Sequence, residues 1–378
     1  PFHSRMKSIS HGNRRRVLWR FLNGRSAVRC SDPPAIGDGE GGRAMIHQQR
    51  KRRFSSSTTI QVTNSFAHSN QSETDDETSP SELVDYLLNY TSSLMKAKSQ
   101  HVVAFSGGVD SSLVLKLLHD SAESSEKKDD VRAVLGISPA VPQEQIDLAR
   151  RVAENVGVDL TEIPTDEGGD DVYIANAGEA CLACKTHLYS TLKAVLDYHE
   201  AEHGNSSATA GQLYNGTNKD DTADPTRLGL IAAANFSVAS PLEHMTKAQV
   251  RRAAQHLGLP NWNTAASPCL RSRLALGVEA TQSHLSMIEQ AERKVRATLP
   301  LNETSNMRVR MLARQRARVE VDLCMVPEAE RMVEEWSPHF QALGFASVQV
   351  SPFKSGSVAT KADTSTVGGD VSDNEQAA

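Results

Sequence analysis

The stretch His101-Val102-Val103-Ala104-Phe105-Ser106-Gly107-Gly108-Val109-Asp110-Ser111-Ser112-Leu113 decides the fold. Its first five residues form a short apolar run, the pattern of a strand buried on both faces. Two glycines follow at once, and from Leu113 to His119 apolar residues return at helical spacing. A strand that turns on glycine straight into a helix is a place to meet an anion. Without a Cβ the backbone comes close, and its amides converge with those of the first helical turn. The hydroxyls of Ser106, Ser111 and Ser112 add hydrogen bonds. Asp110 is a carboxylate placed where anions bind, which makes sense with a magnesium ion between it and the phosphates. Ser106, Gly107, Gly108, Val109, Asp110, Ser111 and Ser112 therefore read as a pyrophosphate-binding loop. It is not a Walker A loop, because no Gly-Lys-Ser/Thr follows.

Working outward, Leu83, Tyr86, Leu87, Tyr90 and Leu94 share one face of a helix that opens near Ser81. Beyond the loop, a strand over 131–137, a helix over 143–156, a strand over 159–163 and a helix over 184–202 continue the alternation. That order predicts an α/β fold, a doubly wound and mostly parallel sheet with helices on both faces. After Trp262 the pattern changes to a helix at 282–299, strands at 307–312 and 318–323, a helix at 327–343 and a strand at 346–350. We read this as a smaller C-terminal α+β domain. The expected division is 1–80 as a basic leader and linker, 81–265 as the nucleotide domain, 266–354 as the second domain and 355–378 as a tail.

The chain of 378 residues is 39% hydrophobic and carries a net charge of −5. No run of eighteen apolar residues occurs, which leaves no membrane-spanning helix to expect. The charge is split. Residues 1–53 hold 13 Lys and Arg against 3 Asp and Glu, while the rest holds 28 against 43. An acidic body argues against a broad nucleic-acid surface. The basic, Ser-containing leader, with Arg52-Arg53-Phe54 before three serines, has the composition of a mitochondrial presequence; a plastid or cytoplasmic location is the alternative. Five cysteines, Cys30, Cys181, Cys184, Cys269 and Cys324, are too few for a disulfide scaffold and point to thiol or metal chemistry.

The loop resembles that of the PP-loop ATP pyrophosphatases, with their adenine nucleotide alpha hydrolase-like fold. That group includes the GMP, NAD and asparagine synthetases and the tRNA thiolases, which adenylylate an acceptor and release pyrophosphate. From Ser81 to Ser357 the chain is similar to the LarE-like ATP-dependent sulfur transferases of nickel-pincer nucleotide synthesis. The blocks that carry the resemblance are Cys181-Leu182-Ala183-Cys184-Lys185, Gly216-Thr217-Asn218-Lys219-Asp220-Asp221, Ser240-Pro241-Leu242, Thr246-Lys247 with Val250-Arg251, Leu257-Gly258-Leu259-Pro260, Cys269-Leu270-Arg271-Ser272-Arg273, and Arg308-Val309-Arg310.

A Cys-x-x-Cys pair taken alone fits half a zinc site or a structural pair. The resemblance implies more: Cys269 lies in the active site, and with Cys181 and Cys184 it would hold a 4Fe-4S cluster whose free iron site carries sulfide. A sacrificial Cys269 that surrenders its own sulfur is the alternative. The resemblance also implies ATP and Mg2+ as cofactors, with Asp110, Cys269, Arg271, Arg273 and Glu292 at the reaction. It assigns Asn218, Asp220, Asp221, Arg308 and Arg310 to a nucleotide-like small-molecule substrate. Arg308 and Arg310, two apart on a strand, project to one face, where paired guanidiniums can grip a phosphate or carboxylate.

The expected activity is adenylylation of a substrate carboxylate, by resemblance pyridinium-3,5-biscarboxylic acid mononucleotide, then sulfur transfer to a thiocarboxylate from sulfide or another sulfur donor. A homo-oligomer is a further expectation. A tRNA thiolase, an ammonia-dependent amide-forming synthetase and a non-catalytic nucleotide sensor are the competing readings. The chain departs from the family pattern at Ala180, at Asp224-Pro225-Thr226-Arg227-Leu228-Gly229 and at Phe353-Lys354-Ser355-Gly356-Ser357. Lys354, where an arginine is usual, cannot fork onto a phosphate.

Overall fold

The structure, a computed structural model, describes residues 78–95, 100–125, 130–202, 211–224, 227–355 and 357. The basic leader with Cys30 and the serine junction, the tail beyond 357, and Pro225, Thr226 and Gly356 lie outside these residues. Among the described residues no helix is long and apolar enough to cross a membrane.

Helix α1 (Pro80–Met95) starts at a reciprocal cap. The Ser79 amide donates to the Glu82 carboxylate at 3.0 Å and the Glu82 amide donates to the Ser79 hydroxyl at 3.2 Å. Strand β1 (Gln100–Ala104) then leads through the glycine loop into α2 (Val109–Glu123). Strands β2 (Asp130–Ile137) and β3 (Leu160–Pro164) alternate with α3 (Gln143–Val156). The chain returns by α4 (Asp171–Ala175) and α5 (Ala180–Glu202) to lay β4 (Gln212–Tyr214) on the other side of β1. The four strands are all parallel in the order β3-β2-β1-β4. The winding therefore reverses between β1 and β4, and the crevice beyond the carboxyl ends of those strands is where open α/β sheets bind ligands.

Alternation along the strands sends Val103, Phe105, Ala133, Leu135 and Tyr214 into one core, which α1, α2 and α3 share with α8 (Lys247–His256). The opposite face is covered by α5. Its Leu188 lies against Gly136 and its Leu196 against Gly211 so closely that a Cβ at either glycine would be within 2.8 Å of the leucine. Helix α2 is buried nearly all round, with Leu113, Val114, Leu115, Leu117 and Leu118 fully enclosed. Each such side chain contributes about 2 kcal/mol of burial, so the loop at the head of α2 rests on the best-anchored helix of the sheet. Two short helices, α6 (Lys219–Thr222) and α7 (Gly229–Asn235), follow β4.

The C-terminal part pairs α9 (Gln282–Thr298) with a sheet of β5 (Met307–Leu312), β6 (Arg316–Val321) and β7 (Ser347–Pro352). β5 and β6 run antiparallel, β6 and β7 parallel. Val309, Met311, Ala317 and Val319 meet Ile288, Ala291 and Val295 of α9 in one core. Two expectations are corrected. The second strand ends at Val321, because the Asp322 carbonyl accepts the Met325 amide at 2.8 Å and turns the chain, leaving Leu323 73% exposed. The helix expected over 327–343 is two, α10 (Val326–Arg331) and α11 (Val333–Leu343). This second core also takes in Ala140, Tyr173 and Ala180 from the first part of the chain, beside Leu270 and Leu274.

Candidate active site

The glycine loop is held from several directions. Gly107 has φ +71°, and a Cβ there would stand 2.7 Å from the Ala149 Cα on α3, so both conformation and space require glycine. Inside the turn, the Ser111 hydroxyl donates to the Gly108 carbonyl at 3.1 Å and accepts the Ser106 amide at 3.2 Å. Ser112 donates to the same carbonyl at 2.9 Å. From α3 the Gln145 amide donates to the Ser106 carbonyl. A Cβ on Gly108 would meet only the Ser106 hydroxyl oxygen, at 3.4 Å, and the Gly108 amide donates to that hydroxyl at 3.3 Å. The result is a braced bend at the head of a 15-residue helix, where the first amides and the dipole favour an anion: a candidate cradle.

Beside the cradle stands a second loop, which follows β4. A Cβ on Gly216 would fall 2.7 Å from the backbone of Asp110 and Ser111, so this glycine lets the two loops touch. Asn218 caps α6 and donates its side-chain amide to Asp110 at 3.1 Å. The other Asp110 oxygen accepts the Lys247 ammonium. Lys247 is the first residue of α8, fixed there by the reciprocal cap of Thr246 and Gln249. Asp220 accepts the Lys247 backbone amide at 3.0 Å, and Asp221 completes the α6 cap while pairing with Arg227 at 2.9 Å. Asp220 and Asp221 thus brace the loop, and the groups at the cradle are Asp110, Asn218 and Lys247. Asp110, a quarter exposed at the mouth of the cradle, has the oxygen donors a magnesium ion takes.

The cysteines form a second group. Cys181 and Cys184 lie in the first turns of α5, and Cys269 precedes a single 3-10 turn at Leu270–Arg273. Cys181 is exposed; Cys184 and Cys269 are half-buried. The Arg271 guanidinium donates to the Cys181 sulfur at 2.7 Å and to the Asn176 side chain at 3.0 Å. Burial, then the charge of Cys269, pushes the Cys184 thiol up to about 12. Burial alone would lower the Arg271 guanidinium, but Cys269 and Cys181 hold it above its ordinary value. The three thiols therefore share one electrostatic neighbourhood with Arg271. Yet among the described residues no group of three His, Cys, Asp or Glu side chains is arranged to hold a metal ion. As placed, with the Arg271 guanidinium donating to the Cys181 sulfur, the three thiols are not gathered around a common point where a 4Fe-4S cluster would sit. Cys324, exposed in the turn after β6, is remote from this group in sequence and lies on a different element.

Behind Cys269 lies a third group, in which the sequence expectation placed Arg273 and Glu292 at the reaction and Arg308 and Arg310 on the substrate. Arg273 is fully buried. Its guanidinium meets Glu292 at 3.0 Å, the Cys269 carbonyl at 3.0 Å and the Pro268 carbonyl. Burial by itself would raise the Glu292 carboxyl, but Arg273 and the Val309 amide hold it below its ordinary value. Arg310 pairs with Glu320 at 2.9 Å and donates to the Ser272 carbonyl at 3.0 Å. Arg308 donates to the Ala266 carbonyl and lies 5.7 Å from the Phe353 ring centre. Burial, with Arg273 nearby, brings it down to about 10. Arg308 and Arg310 do share a face as their spacing requires, but the segment 266–272 covers that face. Each donates one hydrogen bond to its carbonyls, at Ala266 and Ser272, so in this structure Arg273, Arg308 and Arg310, with Glu292 paired to Arg273, position the Cys269 turn.

Three groups escaped the sequence. Lys247 entered only as part of a landmark, although the Thr246–Gln249 cap signals that a helix begins there. Glu320 carried no local signal, nor did Asn261, whose side-chain amide donates to the Gly107 carbonyl at 2.7 Å.

The sequence profile of the NAD synthase family matches residues 80–271, which takes in the cradle, the β4 loop and Cys181, Cys184 and Cys269. The chain belongs to that family, whose PP-loop enzymes use ATP and Mg2+. Among its relatives, an uncharacterized protein of Synechocystis sp. is 31% identical over 254 residues, 65% of this chain and 86% of that protein. The pyridinium-3,5-bisthiocarboxylic acid mononucleotide synthase of Lactiplantibacillus plantarum is 29% identical over 266 residues, 69% of this chain and 90% of that enzyme. An NMN synthetase of Francisella tularensis aligns over 60% of this chain and 90% of its own at 15% identity, with a TM-score of 0.36.

Proposed function

We propose that this enzyme is an ATP-dependent sulfurtransferase that adenylylates a substrate carboxylate, releases pyrophosphate and replaces AMP by sulfur to give a thiocarboxylate. Pyridinium-3,5-biscarboxylic acid mononucleotide is the acceptor we assign, which the name of the L. plantarum relative supports.

The observation that carries the reading is a tie between the two sites. The amide of Leu270, the residue after Cys269, donates to the carbonyl of Ala140, just beyond β2, at 2.7 Å. β2 is the neighbour of β1, whose end is the cradle. The turn that bears the thiol is thereby tied just past the end of the strand next to the one that leads into the cradle, an arrangement that suits a reaction in two stages on one carbon.

The cradle amides and the Lys247 ammonium take the charge that builds on the departing diphosphate, where preorganised donors lower the barrier. Asp110 would hold magnesium, which supplies further charge on the phosphates. The substrate carboxylate oxygen attacks the α-phosphorus and the bond to the diphosphate breaks. Sulfur then attacks the acyl carbon near Cys269, and the bond to AMP breaks. Arg271 offsets negative charge at the thiols. No step here runs through an iron–sulfur cluster. Two sulfur sources balance: the Cys269 thiolate forms a thioester as AMP leaves and β-elimination then breaks its Cβ–S bond, giving thiocarboxylate and dehydroalanine at position 269, or free sulfide from solution attacks the acyl carbon directly as AMP leaves. After one turnover the first leaves residue 269 lighter by its sulfur, and the second leaves it intact.

The test is the native chain with ATP, Mg2+, sulfide and the pyridinium diacid under anaerobic conditions. Stoichiometric AMP, pyrophosphate and thiocarboxylate support the proposal, and AMP without sulfur in the product removes it. Iron and sulfide analysis of the same preparation, with Cys181→Ser, Cys184→Ser and Cys269→Ser beside it, decides the cluster that the sequence suggested. A mitochondrial address rests on residues 1–53 alone, and import of a fusion of that segment tests it.

A further inference from the structure

The turn after α8 ends on a side chain with an unusual position. Asn261 is 1% exposed. Its amide nitrogen donates to the Gly107 carbonyl at 2.7 Å and to the Ser112 hydroxyl at 2.9 Å, while its own oxygen is buried without a hydrogen-bond partner. An unmade hydrogen bond on a buried amide is a standing cost. A side chain kept at that cost is held for what its other end does.

The other end does two things. Gly107 lies in a left-handed conformation, and its carbonyl is the group a relaxing turn would rotate first. Asn261 takes that carbonyl into a buried hydrogen bond, so the oxygen is satisfied within the protein and is not left to face a phosphate. Ser112 donates to Gly108 and accepts from Asn261, so one amide fixes both glycines of the bend. Asn261 is also the first residue of the segment that reaches Cys269. Arg251 grips that segment next, at the carbonyls of Trp262 (2.9 Å) and Thr264 (3.0 Å). The Ala140 carbonyl and the arginines of the C-terminal sheet hold its far end.

We infer that Asn261 is a positioning residue for the nucleotide: it sets the PP-loop in its anion-accepting shape and ties that shape to the segment bearing Cys269. The inference rests on the nucleotide reading of the loop and adds to it a residue that touches no substrate.

Calorimetric titration of Mg·ATP into the full-length native chain, Asn261→Ala and Asn261→Ser, well below their melting temperatures, tests it without any acceptor acid. Native protein binds one ATP. The alanine variant binds at least ten-fold more weakly, and the serine variant, with one hydroxyl donor, falls between. A merely structural residue would lower the melting temperature and leave the Kd of the folded fraction alone, so an unchanged Kd in either variant, within two-fold, overturns the inference. If alanine does not fold, serine is read by the same criterion. Absence of ATP binding by the native chain overturns the nucleotide reading itself, a distinct outcome.

Discussion

Lys247 and Asp110 form an ion pair across the mouth of the glycine loop, joining the first residue of α8 to the second residue of α2. Both side chains are partly exposed, so the pair adds little to stability, about 0.2–1 kcal/mol. Its place is at the phosphates. Lys247→Met should leave the melting temperature nearly unchanged. It should lower the rate of pyrophosphate release about a hundred-fold, the usual effect of losing one preorganised charge at a transition state. Pyrophosphate release and thermal unfolding measured on one preparation check this; a variant as active as native protein would take Lys247 out of the reaction.

Cys269→Ser should separate the two stages. Adenylylation uses the cradle, so exchange of labelled pyrophosphate into ATP in the presence of the acid should persist, while thiocarboxylate disappears. Mass spectrometry of the product reads both, and loss of exchange along with sulfur transfer would mean that the thiol acts earlier than proposed.

Glu292→Gln should unfold much of the protein without touching the cradle. It leaves Arg273 buried with its charge uncompensated, and breaking such a pair costs about 3–5 kcal/mol. The pH dependence has a definite sign. Because the folded Glu292 titrates below its ordinary value of 4.5, its contribution is present above that pH and fades as pH falls through the folded value. Chemical denaturation between pH 7 and pH 3 should therefore show a steeper acid loss in native protein than in the variant.

His101 gives a second pH effect. Its ring is fully buried and shares a 3.0 Å hydrogen bond with the Tyr214 hydroxyl, and burial brings it from 6.5 down to about 4. The unfolded state takes up the proton first, so stability falls as pH drops below 6.5, by about 2 kcal/mol between pH 7 and pH 5. His101→Phe should flatten the denaturation midpoint across that interval. An unaltered slope would show that another group carries it.

Gly107→Ala should be the most damaging single methyl in the nucleotide part, since positive φ and the 2.7 Å approach of Ala149 act together. Gly108→Ala, whose Cβ would meet only the Ser106 hydroxyl oxygen, should fold and lose ATP affinity alone. Circular dichroism and ATP titration of the two variants check the contrast.

The parallel sheet and the cradle were legible in the sequence because their signals are local. A β-branched run, two glycines and a helix occupy thirteen consecutive residues, and no distant contact is needed to read them. Arg308 and Arg310 were legible only by half. Spacing fixes the face a strand residue takes, but what covers that face is decided by residues 266–272, which carry no periodic pattern. The end of β6 was misplaced because Leu323 looks like a buried strand residue, and nothing local reveals that Asp322 turns the chain before it. Lys247, Asn261 and Glu320 act on partners from 10 to 154 positions away, and distance of that kind leaves no trace in a single chain.

The guanidiniums of Arg273, Arg308 and Arg310 hold the Cys269 turn by its carbonyl oxygens, at Ala266, Pro268, Cys269 and Ser272. Every amino acid brings the same oxygen. The grip is therefore indifferent to the exposed side chains at Ala266, Ser267 and Pro268, which could be exchanged together while Leu270 stays anchored in the core. Such a socket lets the approach to the reactive residue be rewritten while the bearing beneath it stays as it is.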